Sequence, residues 1–304
     1  MKTFFVVNPR SANGSTGKRW GELAATIART LSDFGVEFTQ RPMDATRITT
    51  TALKAGFECV VAVGGDGTIN EVTNGFFENG KALNPNAALG VLPRGTGGDF
   101  RRTFEWDTDF EAAVRRLKTP DTRPFDVGLC EYTNHAGALE QRYFANILSF
   151  GVSGLVDQEV ARMKGFGGRL GFSLASLRAL AKYRDHAVRL SFDGKPAQTH
   201  PITVVAVGNG KYFGGGMKVA PNADVSDGIF DVTLWTGYGL SDFIFKQRGI
   251  YNGGHLDYPG TQTLRCRTMT AEADGEVLID CDGEQPGRLP CRVELLPSAI
   301  RLKV

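Results

Sequence analysis

The sequence is short of the features that define several large protein classes. Its five cysteines (Cys59, Cys130, Cys266, Cys281, Cys291) are odd in number and never spaced CxxC, so neither a disulfide framework nor a zinc site is supported. They read as small buried hydrophobes. The four histidines are scattered, with no metal-ligand spacing between any two. No run approaches the roughly eighteen apolar residues of a membrane span, and the opening FFVV is too short for a signal peptide, so the chain is expected in the cytosol. A net charge of +2 is too mild to call for a nucleic-acid partner. Nothing in the sequence indicates a homodimer.

What is present is a change of period. The 304 residues suffice for two modest domains. Strand-like runs at Lys2 to Asn8, Val36 to Thr39, Cys59 to Val63 and Ala88 to Leu92 alternate with helical spacing at Trp20, Leu23, Ile27 and Leu31, at Asp44 to Ala55, and at Ile69, Val72 and Phe76. Gly35 is expected to end the first of these helices and Asp44 to cap the second. The alternation predicts a doubly wound parallel sheet with ligands at the strands' carboxyl ends. From about Phe125 the pattern becomes short strands and turns, predicting an antiparallel β-sandwich with a helical insertion at roughly Leu155 to Tyr183. The fold expected is α/β plus β: residues 1–126 bind nucleotide, 127–290 bind the acceptor, and a strand within 291–304 is a candidate to return to the first domain.

The most informative run is VVAVGGDGTINEVTNG, residues 60–75. An apolar strand empties into Gly64, Gly65, Asp66, Gly67 and Thr68, after which a helix begins. Glycines let backbone N–H groups approach an anion closely, and the positive end of the helix adds to the attraction. Phosphate is the natural guest. A Walker P-loop is excluded, because Ala12 stands where that motif needs glycine and Lys18 is followed by Arg19.

Three segments, NPRSANGSTGK (8–18), VGGDGTINEVTNG (63–75) and LPRGTGGDFRR (92–102), together resemble the catalytic domain of the diacylglycerol kinase family, soluble bacterial lipid kinases related to sphingosine and ceramide kinases. PNADVSDGIFDV (221–232) is similar to the family's acidic metal-binding turn, and CDGE (281–284) to its catalytic loop. The resemblance implies that ATP is held by Asn8, Thr39, Gly64, Gly65, Asp66, Gly67, Thr68, Ile69, Asn70, Glu71, Gly95 and Thr96. It assigns Asp66, Asp99 and Asp126 to a Mg2+ and water network, and Asp224, Asp227 and Ile229 to a second, structural metal.

A lipid hydroxyl must lose its proton to a carboxylate as the bond to phosphorus forms. Asp282 and Glu284 flank Gly283 at the end of an apolar strand. Pattern alone leaves an ordinary hairpin turn the commoner reading there. The family's matching acidic pair reverses that preference, implying that Asp282 accepts the proton and Glu284 orients or shares it. The family has asparagine before the aspartate of its third motif where this chain has Gly98 before Asp99. The expected activity is ATP- and Mg2+-dependent phosphorylation of a membrane lipid, diacylglycerol first, then ceramide, sphingoid or other lipid alcohols. NAD kinase, which shares a GGDG loop, and a non-catalytic nucleotide- or lipid-binding regulator are the alternatives. The basic amphipathic stretch Arg162 to Arg184 is either core packing or a transient, peripheral contact with the inner face of the membrane.

Overall fold

The computed structural model describes residues 1–95, 97–162 and 168–304. The chain divides into two compact units, Met1–Val127 with Pro297–Val304, and Gly128–Leu296.

The first unit is built on a parallel sheet. Thr3–Val7 pairs with Phe34–Phe38 on one side and Cys59–Gly64 on the other, Cys59–Gly64 pairs with Ala88–Pro93, and Arg301 and Leu302 add beyond it. The central strands are buried along their whole length, as strands covered on both faces must be. Helices Trp20–Ala28 and Phe110–Lys118 pack together over one face, with Ile27, Val114 and Leu117 against Phe5, Val61 and Val63. Asp44–Lys54 and Asp66–Asn74 pack against each other as well as against the sheet. The chain starts in the Thr3–Val7 strand, steps outward to Phe34–Phe38, then reverses to Cys59–Gly64. That reversal is the topological switch point, and ligands of such sheets bind at the carboxyl ends of the two strands beside it.

Two local expectations are corrected. Gly35 does not end a helix, which stops at Ala28; it lies within Phe34–Phe38, where a Cβ would sit 2.4 Å from the Phe4 ring of the neighbouring strand. Asp44 is the first helical residue rather than the cap. Its Oδ2 accepts from Gln40 N–H (3.0 Å) and its Oδ1 from Arg47 (2.9 Å), which holds its carboxyl below the usual carboxylate range. The orphan N–H of Ala45 is met across space by Glu71 Oε2 (3.1 Å).

The second unit is antiparallel. One layer runs Thr261–Cys266, Phe230–Trp235, Val204–Gly208, Ile147–Gly151, Leu278–Cys281 and the start of Glu284–Lys303. The other contains Gln198–Ile202, His186–Phe192, Thr268–Ala273 and residues 291–294 of the same long strand, together with the hairpin of Thr122–Asn134 and Leu139–Phe144. Phe150, Val205, Val232 and Ile279 of the first layer meet Val188, Leu190, Met269 and Val293 of the second in one core. Helices Val152–Arg162, Gly168–Lys182 and Leu240–Asn252 cover the outer face of the first layer through Val156, Ala175, Ala179 and Ile250.

The run QRYFANILSF, read as one strand, breaks at Ala145 and Asn146, because a side chain described below captures the backbone there. ITVVAVGNG likewise divides at Thr203, with Ile202 and Val204 in different layers. Helix Leu240–Asn252 was not foreseen; its N-terminal signal is Asp242, whose Oδ2 accepts from Gly239 N–H (3.0 Å). All five cysteines are buried free thiols, and burial pushes Cys59 and Cys266 up to about 12. They are packing residues.

Candidate active site

In the first unit the predicted residues converge on the rim of the sheet. Asn8 follows the Thr3–Val7 strand and donates from Nδ2 to Thr68 Oγ1 (3.0 Å), while its N–H donates to Val63 O (3.0 Å). This ties together the ends of the two strands that bracket the switch point. Thr39 stands at the neighbouring strand end, its N–H on Val7 O (2.9 Å). Gly65 caps helix Asp66–Asn74, and Thr68 and Ile69 N–H both turn back to Gly65 O. Asp66 and Gly67 N–H, lacking partners within the helix, are the donors such a terminus offers an anion.

The second glycine loop touches the first. A Cβ on Gly95 would lie 2.5 Å from Gly65 Cα, a backbone contact that only glycine permits. Arg94 N–H donates to Gly64 O (2.7 Å), and Arg94 Nη2 donates to Ser15 Oγ (3.1 Å), binding in the loop after Asn8. Arg94 was not among the residues selected from the sequence, although it lies within LPRGTGG. Its Nε is buried without a hydrogen-bond partner. Thr96 lies outside the described residues.

Not every expected ligand reaches this rim with its side chain. Ile69 and Asn70 are buried in the unit's interior. Glu71 gives its carboxylate to Ala45, as described, so its seen role is to dock a neighbouring helix. Asp66 stitches the loops: Asp99 N–H donates to its Oδ2 (3.2 Å) and Phe100 N–H to its Oδ1 (3.1 Å). Asp99 is buried and pairs with Arg102 (2.8 Å). Gly98 has φ +64, a left-handed conformation open to glycine and tolerated by asparagine, and a Cβ there would lie 2.8 Å from Arg101 Nε. Asp126, on the Thr122–Asn134 strand beside Phe125, whose ring packs against Phe100, accepts Ser298 N–H (2.6 Å).

In the second unit, Asp282 and Gly283 form a two-residue hairpin with φ +53 and +88, the left-handed pair of a primed turn, closed by the Cys281 and Glu284 pairing. The Asp282 carboxylate accepts three backbone N–H groups: Ala145 on Oδ2 (2.8 Å), Asn146 on Oδ1 (3.0 Å) and Ile147 on Oδ1 (2.9 Å). Those bonds end the Leu139–Phe144 strand and start Ile147–Gly151. Glu284 is exposed beside the turn.

The acidic turn at 221–229 is organised around a side-chain cation. Asp227 Oδ2 pairs with Arg265, Asp224 Oδ1 accepts Ser226 N–H (3.0 Å) and Oγ (2.8 Å), and Ile229 N–H donates to Asp227 Oδ1 (3.2 Å). Among the described residues, no three His, Cys, Asp or Glu side chains converge to hold a metal ion. Of the basic stretch, Arg162 and Lys182 both pair with the buried Glu159 (3.1 Å each), and Ala175 and Ala179 are core. Side chains of Arg169, Leu170 and Phe172 lie outside the described residues.

Two family models match the chain. The diacylglycerol kinase catalytic domain matches residues 2–130, and the YegS C-terminal NAD kinase beta sandwich-like domain matches residues 146–304. The chain belongs to the diacylglycerol kinase family. It is a lipid kinase. A diacylglycerol kinase of Mycobacterium tuberculosis (strain ATCC 25618 / H37Rv) is 26% identical over 99% of this chain and 94% of its own length. A crystal structure of a diacylglycerol kinase from Bacillus anthracis has a TM-score of 0.70 at 20% identity, covering 99% of this chain and 96% of that one. An NAD kinase from Archaeoglobus fulgidus in complex with ATP has a TM-score of 0.52 at 13% identity over 99% and 93% of the two chains, a likeness of fold alone. No described helix of the kinase is long and apolar enough to cross a membrane.

Proposed function

We propose that the kinase transfers the γ-phosphoryl group of ATP to a hydroxyl of a membrane lipid, with diacylglycerol as the acceptor. The observation that carries the nucleotide half is the backbone contact of Gly65 with Gly95, which presses two glycine loops into one cradle of N–H donors beside a helix N-terminus. Asn8, Thr39, Gly64, Gly65, Asp66, Gly67, Thr68 and Gly95 line the nucleotide site, and Arg94 adds a fixed cation for the phosphates.

The donor set fits Mg2+ of the kind that keeps its waters and rests on substrate phosphates, because Asp66 and Asp99 flank Gly97 with no third acidic ligand among the described residues. Asp66 and Asp99 would hold it, and the ion would neutralise charge on the transferred phosphoryl group. Asp126 supports the return of the C-terminal segment. Asp224, Asp227 and the Ile229 carbonyl are the candidates for a structural cation.

Asp282 is the proton acceptor in this reading. Three N–H donors fix its carboxylate, and in a loose phosphoryl-transfer transition state the hydroxyl proton leaves late, so position counts for more than basicity. Glu284 orients the hydroxyl.

Incubating the protein with γ-labelled ATP, Mg2+ and a panel of diacylglycerol, ceramide, sphingoid base and NAD should label diacylglycerol most. Label on NAD alone would overturn the lipid reading, and label on ceramide or sphingoid base would reassign the acceptor. Contact with the bilayer falls to helix Leu240–Asn252, where Ile244 is 53% and Phe245 85% exposed beside Leu240 and the exposed Arg248. Phe245→Asp should reduce flotation with anionic vesicles several-fold. Unchanged flotation would remove this surface.

A further inference from the structure

Behind the acidic hairpin lies a second pair of carboxyl groups that the family resemblance does not use. Asp280 is buried in the Leu278–Cys281 strand, opposite Ser149 in register. Its Oδ1 accepts Gly283 N–H (2.8 Å), the N–H at the tip of the catalytic turn, and its Oδ2 bonds with Ser149 Oγ (3.0 Å). Ser149 Oγ also bonds with Ser153 Oγ (2.8 Å), on helix Val152–Arg162. Asp157 follows Ser153 by one helical turn, which places both on the face packed against the strand. The Asp157 carboxyl acts on that of Asp280 from this face, and its Oδ2 is enclosed without a hydrogen-bond partner.

Two carboxylate oxygens cannot bond without a proton between them. The Gly283 N–H and Ser149 hydroxyl favour charge on Asp280, whereas the nearby charges oppose a second anion: Glu284 acts on Asp157 and Asp282 on Asp280, both negative. We infer that Asp157 carries a proton that it donates to Asp280 at neutral pH, and that this carboxyl pair is a positioning device for the Asp282–Gly283–Glu284 turn. The catalytic half rests on the function proposed above; the shared proton does not.

Desolvation raises Asp280 to about 7 and Asp157 well above the usual range, consistent with one proton shared by the two. Loss of that proton leaves the buried Asp280 anion beside a second anion, and their repulsion falls on the Asp280 bond to Gly283 N–H. The sign is fixed by linkage. Both acids bind protons more tightly folded than unfolded, so the stability they contribute is present below their unfolded values near 4 and is lost as pH rises through about 7 and beyond.

Asp157→Asn mimics the protonated acid, since its amide can donate to Asp280 and cannot ionise. Melting curves of both proteins from pH 4 to 9 should nearly coincide at pH 4 and separate as pH rises, the variant melting about 3 °C higher at pH 9. Turnover of the wild type should fall about tenfold per pH unit above the pair's ionisation, while the variant stays flat over the same range. Parallel melting curves would overturn the shared proton. Separated melting curves with identical rate profiles would overturn the positioning role. If no lipid is phosphorylated by either protein, the functional reading fails and the melting curves still decide the proton. Should Asp157→Asn not fold, the infrared carbonyl band of a neutral buried carboxylic acid in the native protein serves instead, and its absence at pH 6 would overturn the inference.

Discussion

Gly95→Ala is expected to lower kcat/KM for ATP about 100-fold, because the added methyl would lie 2.5 Å from Gly65 Cα and the two loops would have to part by about an ångström. The obstacle is backbone, so no side chain can swing aside to absorb it. Gly95 is not held at a left-handed φ, so the effect comes from the close approach rather than from strain at the substituted residue. Gly14→Ala is the contrast: its φ is +80 but nothing lies within 4 Å of the new Cβ, so it should cost about 1 kcal/mol of stability and little activity. Initial rates at varied ATP, with a melting curve for each variant, check both. A Gly95→Ala enzyme with unchanged kinetics would mean that contact between the loops is irrelevant to the nucleotide.

The parallel half of the fold was legible because strands buried on both faces need unbroken apolar runs, and CVVAVG and ALGVLP are such runs. Helix ends were less legible. Nothing near Asp44 in the sequence announces that Glu71 will cap Ala45, because that bond joins residues twenty-six apart. The sandwich was read through its hydrophobic strands, and the reading failed where a polar group overrides periodicity: QRYFANILSF is apolar enough for one strand, yet Asp282 draws off three of its N–H groups. The same long-range capture makes Asp280 and Asp157 invisible beforehand. They are 123 positions apart, and only register and a helical turn bring them together. Glycine loops announce themselves locally, whereas the partners of a buried acid do not.

Asp282→Asn and Glu284→Gln should separate the two acids by which property each loses. An asparagine at 282 has one acceptor oxygen for three N–H donors, and its amide NH2 would have to face one of them. Unsatisfied buried donors of this kind cost about 1–3 kcal/mol, so Asp282→Asn should melt lower as well as turn over about 100- to 10,000-fold more slowly. Glu284 is exposed, and its amide variant should keep stability within about 0.5 kcal/mol. If Glu284 only orients the hydroxyl, Glu284→Gln should retain most of kcat, since an amide oxygen can still accept a hydrogen bond. If its kcat instead collapses with stability intact, the proton goes to Glu284, and Asp282 serves as the half-buried anchor that holds the Ala145 to Ile147 backbone against the turn. Nucleotide affinity should be unchanged in both variants, because the residues assigned to ATP all belong to the first unit. Equal kcat in both variants and the wild type would remove the acidic hairpin from the reaction.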